Sequence, residues 1–403
     1  MTPLKIALIH NLKPEAKPSH LPPDYYSECD SPKTVKAITN ALRKNGHTVF
    51  PVEADKRLAH WLAENPVDLA FNISEGFHGE AREARVPALL ELLEIPCTGS
   101  GVLSLSLALD KAKSKQLFCY AGVPTPHFQL FTRPDEPIDR RFHFPLIVKP
   151  NREGSAKGIW ASSVVQEEEA LRRQVEKVFE MYAQEVLVEE FIEGTELTVG
   201  ILGKDQLLPV LEIDFSGCSA SGESFYSWRM KEFQGDEKLG LNPRFWCPAR
   251  LDPAVTRAVQ KVALRAARAV GCREIARVDI RLSSDGIPYV LEVNPLPGLD
   301  PEESNFPIMT QAAGISYEAL IQRLVDLALK RSSKRVTQSS IPLSNATVPD
   351  LQAPRSRALP DSGGKGLGSP AGPAVAVSER SVRRGAAGGN GSRNGSKEEG
   401  LGR

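Results

Sequence analysis

Ile275-Ala276-Arg277-Val278-Asp279 and, a few residues on, Tyr289-Val290-Leu291-Glu292-Val293-Asn294 are the stretches that decide how this chain is read. Ser284-Asp285-Gly286 between them is turn chemistry, so residues 275–282 and 287–294 read as the two strands of a hairpin. Side chains two apart on a strand share a face. Arg277 therefore lies beside Asp279, and Glu292 beside Asn294. The hairpin brings these faces together and gathers two carboxylates, an amide and a guanidinium in one patch. Hard oxygen donors of this kind suit magnesium carrying nucleotide phosphates, because magnesium keeps waters and needs only one or two carboxylates. The plain alternative is a solvated hairpin face with cross-strand charge pairs. Charges set among Val, Ile and Leu weaken it.

Two upstream stretches point to the same kind of ligand. Lys149-Pro150-Asn151-Arg152-Glu153-Gly154-Ser155-Ala156-Lys157-Gly158 follows an apolar strand at 145–149. Its small residues let backbone N–H groups approach phosphate oxygens, and Lys149 supplies a point charge at the strand end. The loop is neither a Walker A motif nor a Rossmann fingerprint, and alone it is a weak signal. Val186-Leu187-Val188-Glu189-Glu190-Phe191-Ile192-Glu193-Gly194-Thr195-Glu196 is an apolar strand, 186–190, running into acids. As a hinge it offers backbone groups to adenine and a carboxylate to ribose hydroxyls; a solvated strand end is the bland reading.

Outward from these motifs the chain divides into four parts. Over residues 1–109 strand and helix alternate. Residues 4–9 form a short apolar strand, and Ser31-Pro32 opens a helix in which Val35, Ile38 and Leu42 recur at helical spacing before Gly46 ends it. Strands at 48–52 and 67–73 and a buried helix at 86–93 complete a small α/β domain with a parallel sheet. Residues 110–194 hold a helix with three lysines and the two apolar strands above. Residues 195–332 hold strands at 197–202 and 207–213, a helix at 254–270 striped by Val255, Val259, Val262 and Ala266, the hairpin, and a last helix at 317–329. Residues 333–403, dominated by Ser, Gly, Ala, Pro, Arg and Asn, read as a disordered tail.

The whole chain, 403 residues, exceeds one typical domain. Fifty basic residues balance fifty acidic ones, which gives no reason to propose nucleic acid or a membrane surface as partner. Six cysteines are scattered without a C-x-x-C pair. That pattern argues against a disulfide framework or zinc site and for a reducing compartment. The first apolar run is too short for a signal peptide and no stretch approaches a membrane span. A cytoplasmic protein is expected.

The segments above, preceded by Thr98-Gly99-Ser100-Gly101 and by Asp110-Lys111-Ala112-Lys113-Ser114-Lys115, resemble the ATP-grasp superfamily. Within it the match is to the D-alanine–D-alanine ligase family, over roughly residues 5–329. The resemblance implies an ATP-grasp fold of class α/β with α+β lobes, ATP with Mg2+ or Mn2+, small amino-acid substrates and a place in peptidoglycan biosynthesis, and it is compatible with a homodimer. It implies that Lys111 and Lys149 hold ATP phosphates, with Glu153 in the phosphate loop. Glu189 and Ile192 would sit at the adenine hinge and Glu196 at the ribose, while Asp279, Glu292 and Asn294 would hold magnesium. Arg277 would steady the transferred phosphoryl group and the oxyanion that follows. Ser155 belongs to a loop that closes over the substrates, Lys231 to a mobile flap, and Ser304 faces the second substrate's carboxylate. The implied chemistry has two steps: a carboxylate takes the γ-phosphoryl group, and an amine then displaces phosphate from the acyl phosphate.

The departures lie on the substrate side. The family's Gly-Gly-x-Ser loop followed by Glu becomes the longer stretch 11–30, in which Glu28 and Asp30 are the acids expected to grip a substrate ammonium. The plain reading is that acids favour the approach to a helix N-terminus anyway. The family's His-Gly becomes Asn72-Ile73-Ser74-Glu75-Gly76-Phe77-His78-Gly79-Glu80, with the His displaced and read as exposed. Glu232-Phe233 replaces the flap's Tyr, and Ala156 stands where a second serine is common. Three readings therefore stand: a D-alanine–D-alanine ligase proper, a related ligase for other amino or hydroxy acids or peptides, and a nucleotide-binding scaffold. Intact Arg277, Asp279, Glu292 and Asn294 argue against the third.

Overall fold

A computed structural model describes residues 2–14, 18–218, 221–236 and 238–339. The chain opens with β1 (Lys5–His10), α1 (Pro32–Lys44), β2 (Thr48–Glu53), α2 (Leu58–Glu64) and β3 (Leu69–Asn72). The three strands form a parallel sheet in the order β2-β1-β3. β1 is apolar on both faces because helices cover both: Ile6 and Leu8 meet α1, and Ala7 and Ile9 meet α2. Ser31 caps α1 as its sequence predicts, its hydroxyl accepting from the Thr34 N–H at 3.0 Å. Val35, Ile38 and Leu42 are the buried stripe. Then come α3 (Arg85–Leu92), α4 (Val102–Leu109) and α5 (Lys111–Tyr120), the last capped by Asp110.

A second, antiparallel sheet is built from β4 (Phe128–Phe131), β5 (Leu146–Pro150), β6 (Val164–Val165) and β7 (Val186–Glu190), in the order β4-β7-β5-β6. α6 (Glu168–Tyr182) packs Leu171, Val175 and Val178 against Val148, Val186 and Val188.

The third sheet comprises β8 (Gly194–Leu202), β9 (Gln206–Leu207), β10 (Leu211–Asp214), β11 (Arg244–Trp246), β12 (Ile275–Ser283) and β13 (Pro288–Asn294). Its order is β11-β10-β8-β12-β13, with β9 pairing only β8. The single strand expected over 207–213 is thus two. Pro209 falls between them, and proline cannot donate to a ladder. α7 (Trp228–Glu232) lies in the flap after β10, and α8 (Pro253–Val270) buries Val259, Ala263 and Ala266 on the sheet. α9 (Asn305–Ala312) and α10 (Tyr317–Ser339) close the fold. Leu320, Ile321, Leu324 and Val325 of α10 join α1 and the first sheet in one core. α10 runs past the tail boundary expected at 332; the tail from 340 onward lies outside the described residues.

Candidate active site

A cavity of ≈ 630 Å³ opens between the second and third sheets, with loops of the N-terminal part on its rim, and the site residues expected from the sequence all border it. The β12–β13 hairpin forms one wall. Its register sets Arg277 opposite Asn294 and Asp279 opposite Glu292. Arg277 donates to Asp279 through Nε at 2.9 Å and Nη2 at 2.7 Å. Thr198 Oγ1 on β8 also donates to Oδ1 of that carboxylate, at 2.6 Å, and Asn294 Nδ2 donates to Oδ2 at 2.9 Å. The ladder slips between Asp279 and Ile280, a bulge of the kind that re-aims side chains beside functional sites. Lys111 Nζ lies 3.2 Å from Glu292. Burial opposes a charge on Glu292, yet Lys111, Lys149 and Arg277 outweigh it and hold the carboxyl at about 2. Two carboxylates and an amide fall short of an all-protein cage. They fit a cation that keeps waters and shares phosphate oxygens, which is how magnesium binds nucleotides.

The opposite wall comes from α5, β5 and β7. Lys149 Nζ meets Glu189 at 2.5 Å, and Lys115 meets its other oxygen at 2.7 Å while donating to Thr125 at 2.7 Å. Glu189, for which the resemblance implies a place at the adenine hinge, is a buried counter-ion to two lysines. Burial pulls the Lys115 ammonium down to about 8 against the raising pull of Glu189. Lys115 has no role in the sequence reading. Its signal was the four-residue spacing from Lys111, which puts both on one helix face. At the far end the Ile192 carbonyl accepts from Arg281 Nε at 3.0 Å, and Glu196 accepts from Arg281 Nη1 at 3.0 Å.

The phosphate loop between these walls is strained and held from outside. Ser155 (φ 51°) and Ala156 (φ 58°) both lie in the left-handed region, which side chains with a Cβ disfavour. Lys111 donates to the Glu153 carbonyl. From the first loop, Glu28 accepts from the Gly154 N–H at 2.6 Å and from Lys157 at 3.1 Å, and Asp24 accepts from the Gly158 N–H at 2.8 Å. A Cβ on Gly154 would stand 2.6 Å from the Glu28 carboxylate and would have to push it aside. From the flap, Lys231 donates to Ser155 Oγ at 2.9 Å, and Trp228 Nε1 donates to Ser27 at 2.7 Å. First loop, phosphate loop and flap are thereby joined in a closed arrangement.

Glu28 also receives Arg82 Nη2 at 2.6 Å, so a substrate ammonium reaching it would find three protein donors already bound. Burial resists its ionisation, but Arg82 and Lys157 hold it at about 2. A carboxyl depressed below its ordinary 4.5 contributes stability above that pH, and the contribution is lost as pH falls toward 2. Denaturation curves over that window should show wild type losing more stability than Glu28→Gln; parallel losses would mean that the cluster contributes nothing. Asp30 lines the cavity too, accepts from the Asn11 N–H at 3.3 Å, and is lifted by burial to about 7. Glu75 stands at the same end, raised by burial and by Glu28 and Glu83. His78 is exposed and bonded to Tyr25 at 2.9 Å. Ser304 precedes α9 and accepts from the Asp300 N–H at 3.1 Å. Arg82, at the start of a short 3-10 turn at 82–84, and Asp24, in the irregular first loop, had no signal in the sequence.

The family profile "D-ala D-ala ligase C-terminus" matches residues 117–326. The D-alanine–D-alanine ligase of Syntrophotalea carbinolica is 38% identical over 293 residues, covering 73% of this chain and 89% of that protein. This chain belongs to the D-alanine–D-alanine ligase family. The enzyme of that name from Halalkalibacterium halodurans is likewise 38% identical, over 304 residues, with 73% and 93% covered. Among solved structures, the D-alanine–D-alanine ligase of Bacillus anthracis complexed with ATP aligns with TM-score 0.64 and 27% identity, over 82% of this chain and 99% of that one. The VanG D-Ala:D-Ser ligase of Enterococcus faecalis aligns at 0.62 and 24% identity, a likeness of fold. The architecture is ATP-grasp, as the sequence implied, and the chain is an ATP-dependent carbon–nitrogen ligase most like D-alanine–D-alanine ligase. No helix among the described residues is long and apolar enough to cross a membrane.

Proposed function

We propose that this ligase joins two small amino acids, D-alanine foremost, for peptidoglycan synthesis, using magnesium-ATP and an acyl phosphate. The observation that supports this best is the facing of Arg277, Asp279, Glu292 and Asn294 toward Lys111 and Lys149 across one cavity that the substrate-side loops also border. Asp279, Glu292 and Asn294 would hold the magnesium, which when bound neutralises phosphate charge. Lys111 and Lys149 fix the phosphates, and Glu153 and Ser155 lie in the loop that covers them. Ile192, Glu189 and Glu196 receive the nucleoside.

The first substrate's carboxylate oxygen attacks the γ-phosphorus, and the bond to the ADP oxygen breaks. The second substrate's neutral amine then attacks the acyl carbon; phosphate departs with that oxygen, and the amine's proton is released. Arg277 stands where charge builds on the carbonyl oxygen. Lys231, clasping Ser155, keeps water from the acyl phosphate.

One observation favours the second reading, a ligase for other amino or hydroxy acids: Glu28 is engaged by Arg82, Lys157 and Gly154. An ATP-dependent phosphate-release screen across D- and L-amino acids and 2-hydroxy acids separates the two. Release with D-alanine alone is the expected result. Release only with other pairs would move the assignment to the second reading, and ATP binding without any release would overturn ligation itself. Ser304→Ala should raise the second substrate's KM about two- to tenfold, the effect of one neutral hydrogen bond, and leave the ATP KM unchanged. An altered ATP KM would remove Ser304 from the acceptor subsite.

A further inference from the structure

β12 pairs with β8 in unbroken register, with Arg277 opposite Gly200, Asp279 opposite Thr198 and Arg281 opposite Glu196. These alternate positions share one face of the sheet. Arg281 therefore continues the row begun by Arg277 and Asp279, and like them it borders the cavity. Its side chain is only 4% exposed. A guanidinium so buried is costly unless its donors are met, and here they are met by three groups on two segments. Nε donates to the Ile192 carbonyl in the hinge, and Nη1 to Glu196 at the start of β8. Nη1 and Nη2 reach the Ser224 carbonyl at the root of the flap, at 3.2 and 3.4 Å. The guanidinium also lies 5.0 Å from the centre of the Phe191 ring.

The partners are the groups that face the nucleoside end and the segment leading to Lys231. Phe225, next to Ser224, packs edge-on against Phe191 with ring centres 5.7 Å apart. Tyr226, one residue on, gives its N–H to the same Glu196 carboxylate at 3.4 Å. The planar fork of arginine holds several acceptors in one geometry, which neither lysine nor an apolar side chain reproduces. Arg281 thus ties the hinge to the flap root, beside the Phe191–Phe225 packing and the Tyr226–Glu196 hydrogen bond.

We propose that Arg281 is a positioning residue that couples nucleoside binding to flap closure: it orients the Ile192 carbonyl and the Glu196 carboxylate for the nucleoside and anchors the flap to them. The inference rests on the ligase reading above, in which Ile192 and Glu196 receive the nucleoside.

The test uses Arg281→Met and Arg281→Lys in the full chain, with magnesium-ATP and magnesium-tripolyphosphate, which lacks a nucleoside, as probes. Calorimetry should show ATP binding weakened about tenfold in Arg281→Met, with tripolyphosphate binding changed less than about twofold. At saturating ATP, tryptic cleavage after Arg229 and Lys231 in the flap should be slowed in wild type and not in Arg281→Met. Arg281→Lys, which keeps the buried charge and part of the donor set, should recover part of both effects, and it carries the test if Arg281→Met does not fold. Equal weakening of ATP and tripolyphosphate would reveal a purely structural role and overturn the proposal. So would unchanged ATP affinity with the flap still protected. Wild-type protein that binds neither probe would overturn the ligase reading and this proposal with it; wild-type binding with indifferent variants overturns this proposal alone.

Discussion

Asp279→Asn and Glu292→Gln, purified as folded proteins, should release phosphate from ATP at least about a hundredfold more slowly than wild type, on the scale set by removing one preorganised charge-stabilising group. Both residues are hairpin positions facing the cavity, so neither change opens a hole in the core. Asp279 has the wider reach. Its carboxylate accepts from Arg277, Thr198 and Asn294, and the amide replacement brings an N–H into a ring of donors. Arg277 would then lose the bidentate partner that orients it. Glu292→Gln removes the counter-charge of Lys111 and should release that lysine from its place beside the hairpin. Near-normal phosphate release by either variant, with melting temperature preserved, would remove the metal assignment.

The second large effect is on stability. Glu28, Glu153, Arg82 and Lys157 form a group of two acids and two bases, and the Arg82 and Glu28 side chains are only 4% and 5% exposed. Arg82 alone bonds Glu28 and the Arg152 carbonyl and approaches Glu153 at 3.6 Å. Arg82→Ala leaves two carboxylates facing a single lysine. Breaking a buried pair from one side costs about 3–5 kcal/mol, and that loss is expected in chemical denaturation. Activity should fall with it, since this group holds Gly154 and its strained neighbours Ser155 and Ala156 in place. Adding Glu28→Gln to Arg82→Ala should recover part of the loss, the non-additivity that coupled charges show. A loss below about 1 kcal/mol, as for surface pairs, would mean that the loops are held elsewhere.

Local pattern in this sequence was enough to gather several of the expected residues at one cavity. The period-two alternation of Arg277, Asp279, Glu292 and Asn294 predicts the hairpin, and its register places these four together. Ser31 and Pro32 predict the start of α1, because a cap is a contact between residues three apart. Lys149 and Glu189 needed only an apolar strand to carry each of them to the cavity.

What tertiary structure decided involves residues whose partners are remote in sequence. α4 was not foreseen because Val102–Leu109 is almost uniformly apolar and presents no amphipathic period. The break at Pro209 split a strand that apolar content alone made continuous. Arg281 sits in the same alternating row as Arg277 and Asp279. Its meaning appeared only when the hinge, β8 and the flap converged on it. Glu28 shows the limit best. Its sequence context marks it as an acid before a helix, free to meet an ammonium. Packing instead gives it Arg82, Gly154 and Lys157. A lone charged side chain in a loop has no periodicity or cap geometry to announce its partner. Which charge it meets is set by how distant segments pack, and only the folded chain fixes that.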